Sequence, residues 1–222
     1  MLRRSPLKTM LVTILGTMLV TMLGSALPSS GFFGLIGVSQ AAANTQQVAA
    51  AELVDTMMLD LEKLRATDTG DEIQRRERIL NILDTYFDMD AVTRISVGQY
   101  WRVATDEEKT EYAELLREVL LRTILNNFDQ LKGLVYTAGD INSLGKKFVV
   151  VSGVFSDTLG DRPNVRVNWR AVIREGKPVK LFDIEIENLS LLDTQKQENI
   201  AVIRRNKGKF SALIDLMRER TE

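Results

Sequence analysis

The sequence predicts an α+β domain in which helices pack against one face of a four-stranded antiparallel sheet. Apolar residues recur with the 3.6-residue period of a helix as far as Phe128. After Lys132 and Gly133 the period changes to 2, as in strands with one dry and one solvated face, and helical spacing returns near Asp193. The order of helices, four strands and helices is typical of an antiparallel sheet that is covered on one face.

The composition favours a binding protein over an enzyme. The chain has 222 residues, of which 45% are hydrophobic and 27% charged, enough for one domain with a sizeable core. It contains no cysteine and no histidine, so it lacks a thiol nucleophile, the commonest general base and the commonest metal ligand. We therefore predict no catalytic residue, no metal site and no cofactor.

Residues 1–43 have the layout of a signal peptide, which leaves residues 44–222 as a single domain. Arg3, Arg4 and Lys8 give a basic start, residues 10–27 are apolar, and three alanines at 41–43 supply a small-residue cleavage site. An uncleaved membrane anchor is the alternative, because about 18 apolar residues can span a bilayer. The paired arginines faintly resemble a twin-arginine signal, but Pro6 stands where an aromatic residue is usual, so a general export signal is expected.

Export changes the charge of the mature chain. Removal of the segment leaves 26 basic and 30 acidic residues, a formal net charge of −4. A mildly acidic domain argues against nucleic acid as a partner. A chain without cysteine is also compatible with an oxidising compartment, although it makes no use of one.

Three helices are predicted before a long fourth one. The first spans residues 46–65, the second begins after Asp71, and a short third one follows Asp88 or Asp90. Gly98 then allows a bend or a close approach before Trp101. The apolar face of the first helix contains Val48, Leu53, Val54, Met57, Met58, Leu61 and Leu64.

The long helix has a marked start. Thr105 is a good N-cap, and Glu108 three residues later completes a capping box. One wide apolar stripe continues to Phe128, so the helix has roughly 24 residues and is about 36 Å long. That stripe faces either a plain core or a cavity.

The four predicted strands span residues 134–141, 146–155, 164–174 and 179–188. The third alternates most strictly, with Val165, Val167, Trp169, Ala171 and Ile173 on its dry face. On the fourth strand Phe182, Ile184 and Ile186 share a face. Asp193 or Thr194 caps a further helix, and a last helix contains Phe210, Leu213, Ile214, Leu216 and Met217.

Three carboxylates on the fourth strand are candidates for a catalytic or metal site. Asp183, Glu185 and Glu187 share one strand face, as alternate residues on a solvated face commonly do. Arg166, Asn168 and Arg170 on the neighbouring strand are placed to pair with them across the sheet, and this is the expected arrangement.

Three stretches resemble the MlaC, or toluene-tolerance, family. Residues 97–105, VGQYWRVAT, with an acidic first helical turn behind them, resemble its [LV]-G-x-[YH]-[WY]-[RK]-x-A-[ST] signature. Residues 165–170, VRVNWR, resemble its strand that ends in Trp-Arg. Residues 183–191, DIEIENLSL, resemble its D-[IM]-x-x-[ED]-[GN]-[LV]-S segment, and residues 194–197, TQKQ, take the place of its T-x-[KR]-x segment. The resemblance covers residues 50–218, although the family more often has Gly at Asn188 and Tyr near Ile124.

The resemblance implies a periplasmic phospholipid carrier. Proteins of this family shuttle phospholipid between an outer-membrane lipoprotein complex and an inner-membrane ABC transporter complex with its substrate-binding ring. Their sheet is strongly twisted, and the acyl chains lie in an apolar pocket between sheet and helices. The wording of residues 87–102, FDMDAVTRISVGQYWR, is also similar to the hopanoid-associated HpnM branch.

The lipid-binding residues implied by this reading lie on the long helix and on the sheet. Trp169 is either a core residue or the floor of the pocket. If the face assignment of a strand is wrong by one residue, its predicted lining residues lie on the solvent-exposed face instead. The expected lining residues are Val97, Trp101, Val119, Thr123 and Ile124 from the helical side, and Val149, Val151, Val167, Trp169, Ile184 and Ile186 from the sheet.

Three alternatives remain open at this stage. A hopanoid or other polycyclic isoprenoid replaces the phospholipid if the pocket is wide and rigid. An exported lipid-modifying enzyme would use Asp183 or Glu185 as general base, which requires one of them to face a cavity with a raised pKa. A structural or assembly factor would have a solid core and an apolar surface patch.

Overall fold

The computed structural model describes residues 39–158 and 160–221. Residues 1–38, which make up most of the predicted signal peptide, lie outside the described residues. The helices are α1 Ser39–Ala66, α2 Glu72–Tyr86, α3 Met89–Ile95, α4 Asp106–Asn126, α5 Leu191–Arg205 and α6 Ser211–Thr221, with 3₁₀ turns at Gly98–Arg102 and Phe128–Leu131. The strands are β1 Leu134–Leu144, β2 Phe148–Asp157, β3 Val165–Val172, β4 Lys180–Ile186 and β5 Leu189–Ser190. None of the described helices is both long enough and apolar enough to cross a bilayer.

Side chains that accept hydrogen bonds from backbone N–H groups cap the starts of several helices. Asp71 accepts hydrogen bonds from two backbone N–H groups of α2, and Asp88 accepts one from Ala91 at the start of α3. The predicted capping box of α4 is confirmed, since Thr105 accepts from the Glu108 N–H at 3.1 Å and Glu108 accepts from the Thr105 N–H at 2.9 Å. The predicted N-cap of α5, Asp193 or Thr194, was wrong. Ser190 caps this helix by accepting a hydrogen bond from the Asp193 N–H.

The sheet is antiparallel, and its strands lie in chain order from β1 to β5. The four predicted strands are confirmed, and the structure adds the two-residue β5. The fourth strand was predicted to continue to Asn188, but Glu187 and Asn188 have φ of 48° and 66° and form a two-residue hairpin turn. Left-handed φ at both central residues is typical of a type I′ turn, which reverses the chain into β5.

A bulge in β4 changes which residues share a face. Arg170 pairs with Asp183 and Ala171 with Leu181, so Phe182 is an extra residue opposite β3. Phe182 therefore leaves the face of Ile184 and packs with Ala91 and Leu192 on the other side of the sheet. The prediction that helices cover only one face was wrong at this end, where α3 and the start of α5 cover the outer face.

The described residues form two main apolar clusters. One lies between the sheet and helices α1 and α2, and the other lies among α4, α5 and α6. The second cluster contains a buried polar network, in which the Tyr112 hydroxyl is 2.7 Å from Ser96 Oγ and accepts from Asn199 Nδ2 at 2.8 Å. This network ties the end of α3 to α4 and α5.

Candidate functional site

Apolar side chains fill the space between the inner face of the sheet and helices α1, α2 and the end of α4. We call this space the interlayer. Its fully buried members are Ala50, Val54, Met57 and Leu64 of α1; Ile79, Ile82, Leu83 and Tyr86 of α2; Leu121 and Phe128; and Val149, Val151, Val167, Trp169, Ala171 and Leu181 of the sheet.

Strict alternation in β2 and β3 builds the inner face. Val149 and Val151 on β2, and Val167 and Trp169 on β3, are each no more than 5% exposed, while the residues between them point outward. Val151 pairs with Trp169 and Gly153 pairs with Val167, so the apolar positions of the two strands lie side by side. The result is a continuous apolar surface across the middle of the sheet.

An aromatic cluster lies on this surface where β1, β2 and β3 meet. The rings of Tyr136 and Phe155 are tilted to each other with centroids 5.3 Å apart, and both lie edge-on to Trp169 at 6.3 and 6.4 Å. The Tyr136 ring covers Gly153, where a Cβ atom would overlap it. Glycine at 153 is therefore required by close packing rather than by backbone conformation.

Two tyrosine hydroxyls lie at the margins of the interlayer. Tyr86 donates to Asp60 Oδ2 at 2.5 Å, and Tyr136 donates to the Ser152 carbonyl at 3.3 Å. Burial raises the pKa of each tyrosine to about 12, so both are neutral at physiological pH. Neither tyrosine can provide an ionic clamp for a charged ligand.

Six of the expected lining residues lie together in the interlayer. Val149, Val151, Val167 and Trp169 are buried there, and Ile124 and Ile184 are partly buried against them.

The other five expected lining residues lie elsewhere, which corrects their predicted placement. Val97, Trp101 and Val119 belong to the second cluster, on the side of α4 that faces α6. Thr123 donates to the Val119 carbonyl at 2.7 Å within α4, and Ile186 is half-buried at the end of β4. The apolar stripe of α4 contributes residues to both apolar clusters, and sequence periodicity does not show which residue belongs to which cluster.

Helix α1 contributes the interlayer residues that the predicted lining left out. Ala50, Val54 and Met57 are 1% exposed or less. Their helical spacing was visible in the sequence, but the face that they cover was not. Tyr136 was also missed, since the alternation of β1 is weak. Phe155 was missed although it continues the alternation of β2 beyond Val151 and Gly153.

Asp183 and Glu185 on β4, and Glu187 in the turn after it, make the pairs expected from the sequence. Arg170 Nη1 is 3.1 Å from Asp183 Oδ2, Asn168 donates to Glu185 at 3.1 Å, and Arg166 Nη2 is 2.9 Å from Glu187. These three pairs confirm the prediction of ordinary sheet pairing.

Asp183 nevertheless differs from the predicted solvated residue. It is 4% exposed, and it accepts from Ser190 Oγ at 2.7 Å and from the Leu192 N–H at 3.0 Å. Its carboxylate thus holds the first turn of α5 against β4. This structural task accounts for a buried carboxylate without catalysis.

Two clefts formed by the described residues lie away from the interlayer, and neither contains Asp183 or Glu185. The larger one is open, measures about 310 Å³ and lies where α2 meets α3, between Asp88 and Lys177. The described residues also contain no group of three or more acidic side chains placed to hold a metal ion.

Comparison with known proteins identifies a family and solved structures of similar fold. The family model described as MlaC protein matches residues 51–219. A solved structure, the phospholipid-binding protein from Ralstonia solanacearum in complex with a phospholipid, is 20% identical with a TM-score of 0.63, over 79% of this chain and 96% of that one. At this identity the likeness shows a shared fold. No curated protein matches the chain.

Proposed function

Since the family model covers most of the chain, the protein belongs to the MlaC family, and we propose that it is a periplasmic lipid carrier. It shields the acyl chains of a phospholipid in the interlayer and carries the lipid between the inner and the outer membrane. Its partners are then an inner-membrane ABC transporter complex with a substrate-binding ring and an outer-membrane lipoprotein complex. The structural relative, whose bound molecule is a phospholipid, supports this ligand class.

The observation that carries the proposal is the continuous apolar inner face of β2 and β3. Each exposed CH₂ group costs about 0.8 kcal/mol in water, so two long acyl chains cost on the order of 20 kcal/mol. A carrier must cover these chains throughout transit. The inner face, centred on Val151 and Trp169, is an apolar surface of the kind that this task requires.

Release requires that the carrier hold its lipid no more tightly than a bilayer does. The polar groups of the interlayer side chains are the hydroxyls of Tyr86 and Tyr136 and the indole N–H of Trp169, and all three are uncharged. The interlayer meets this demand because it adds no charge-assisted hydrogen bond to the apolar contacts. The headgroup then remains outside, in contact with water.

The interlayer is filled by side chains, so a lipid enters only when a helix separates from the sheet. Helix α2 is braced to α4 by the Arg76–Glu118 and Arg117–Asp84 ion pairs. Helix α1 is attached to β1 and to the turn before it by polar contacts near its two ends. Gln47 Nε2 donates to Ser143 Oγ at 3.1 Å, and Arg65 donates to the Leu131 and Leu134 carbonyls at 2.7 and 2.9 Å. We expect α1 to move and the acyl chains to enter beneath it.

A hopanoid or related polycyclic isoprenoid is the second candidate ligand. The aromatic cluster of Tyr136, Phe155 and Trp169 favours it, because this cluster offers an extended surface to a fused ring system. Lipid binding and transport are common to both candidates.

The test is native mass spectrometry on protein purified without detergent from the periplasm of its own source. We expect an added mass that fragments to a two-chain phospholipid. An added mass that matches a pentacyclic triterpenoid would instead identify the second candidate as the ligand. Protein that has no added mass after purification, and gains none after incubation with phospholipid vesicles, would contradict the carrier proposal.

A further inference from the structure

The indole N–H of Trp169 is a buried donor without an acceptor. The residue is 5% exposed, and within the described part of the chain Nε1 makes no hydrogen bond. Buried donors in native proteins are nearly always paired, and an unpaired one is unfavourable. A phenylalanine would supply an apolar ring at this position without this cost.

The Tyr136 hydroxyl is the polar group that lies beside this donor. Its backbone is paired with Val151 on one side and Ile184 on the other, so the side chain stands on the inner face of the sheet. The neighbouring Tyr136 hydroxyl uses its own proton on the Ser152 carbonyl. A polar contact of the indole N–H with the Tyr136 hydroxyl opposes the rise of the Tyr136 pKa caused by burial, but this contact does not reach the geometry of an ordinary hydrogen bond.

We propose that the Trp169 N–H donates a hydrogen bond to an acyl ester carbonyl of the bound lipid and makes the protein prefer ester-linked lipids. This inference rests on the carrier function proposed above. An ester carbonyl is uncharged, it accepts without needing to donate, and it lies where the acyl chains begin. It is therefore the lipid group that can pair with a lone donor on an apolar surface at little desolvation cost.

The test compares two phospholipids that differ only in this group. Protein labelled with ¹⁵N is loaded from vesicles of dioleoyl phosphatidylglycerol or of its diether analogue, and unbound vesicles are removed. The chain has two tryptophans, so Trp101, which lies in the second cluster beneath Lys109, gives a reference indole resonance. The Trp169→Phe variant assigns the two signals.

We expect the Trp169 indole proton to shift downfield with the diester and clearly less with the diether, while the Trp101 signal stays in place. The Trp169→Phe variant should bind the diester about tenfold more weakly, as for one lost hydrogen bond, and should bind the diether as the unmodified protein does. Phe148→Leu, a change at an aromatic residue on the outer face, is the matched control.

Three results would overturn the inference. Equal shifts with both lipids would mean that Trp169 only packs against the chains. If the Trp169 indole signal shifts in the Tyr136→Phe variant but not when lipid is loaded, the indole N–H donates to the tyrosine hydroxyl and not to the lipid. If neither lipid binds, the carrier function fails, and this inference with it. The shift measurement needs only the unmodified protein, so it stays decisive if Trp169→Phe does not fold.

Discussion

The Arg65 guanidinium donates to the Leu134 carbonyl at 2.9 Å, which joins the end of α1 to the first residue of β1. The same Nη1 atom also donates to the Leu131 carbonyl at 2.7 Å. A single side chain therefore fixes the end of the helix that covers the interlayer. This end of α1 lies just before the segment at residues 67–71 that leads to α2.

We expect Arg65→Met to loosen this attachment while keeping an apolar stem of similar length. Two carbonyls lose a charged donor, so the free energy of unfolding should fall by about 1–2 kcal/mol, measured by denaturant titration. Lipid exchange between the protein and vesicles should become faster. Arg205→Met, which removes an exposed contact with the Ala201 carbonyl within α5, is the control and should leave the exchange rate unchanged.

A covalent link between α1 and β1 should block lipid uptake. The chain has no cysteine, so Gln47→Cys with Ser143→Cys introduces one pair where these side chains meet at 3.1 Å. A short bismaleimide cross-linker should then abolish loading from vesicles, whereas the unlinked double variant loads normally. The control joins α4 to α6 through Glu111→Cys and Arg218→Cys. If both linked proteins load equally well, α1 is not the element that opens.

Acid should weaken the brace between α2 and α4. The Arg76 guanidinium, helped by Arg122, holds the pKa of the Glu118 carboxyl below its ordinary value of 4.5. A lowered folded-state pKa stabilises the fold above that ordinary value, and this stabilisation is lost as the pH falls through the lower value.

The difference in unfolding free energy between the unmodified protein and Glu118→Gln should therefore be largest near neutral pH. It should shrink as the pH falls below about 4, because the protonated carboxyl resembles the amide. Denaturant titrations across this range measure it, with Glu62→Gln on the exposed side of α1 as control. A difference that does not vary with pH would mean that Glu118 acts by packing alone.

Local signals in the sequence predicted most elements of this fold correctly. Thr105 and Glu108 form the expected capping box, and Trp169 lies on the dry face of its strand, because both features depend on neighbours within a few residues. The failures depend on contacts between distant residues. The bulge at Phe182 needs the pairing of β4 with β3, and the N-cap of α5 at Ser190 follows from a hairpin turn that precedes it.

The candidate site could be predicted better on its sheet side, where four of the six predicted residues are buried in the interlayer, than on its helical side, where Ile124 alone of the five lies there. Strict alternation selects one face, so Val151 and Val167 were found without knowing what covers them. Helix α4 has apolar residues on more than one face, and Val119 turns toward α6 while Ile124 turns toward the sheet. The helical period of α4 does not show which of its apolar residues face the sheet and which face α6. Likewise, the period of α1 does not show that Val54 faces the sheet.

The contact between Gly153 and Tyr136 offers a test of whether the aromatic cluster shapes the ligand site. A methyl group at residue 153 would overlap the Tyr136 ring, so Gly153→Ala must displace it from Trp169 and Phe155. Overpacking of this kind costs about 1–3 kcal/mol of unfolding free energy. The amount of phospholipid loaded should fall as well, since the displaced ring enters the interlayer.

The double variant Gly153→Ala with Tyr136→Leu should recover much of the stability, because the smaller side chain makes room for the methyl group. Such coupling is read as a departure from additivity in a double-mutant cycle. Gly139→Ala on β1, where the new Cβ would lie 3.3 Å from the Ser152 carbonyl and touch no ring, is the control. A Gly153→Ala variant with unchanged stability and loading would show that Tyr136 moves aside freely, and the aromatic cluster would then have no part in shaping the site.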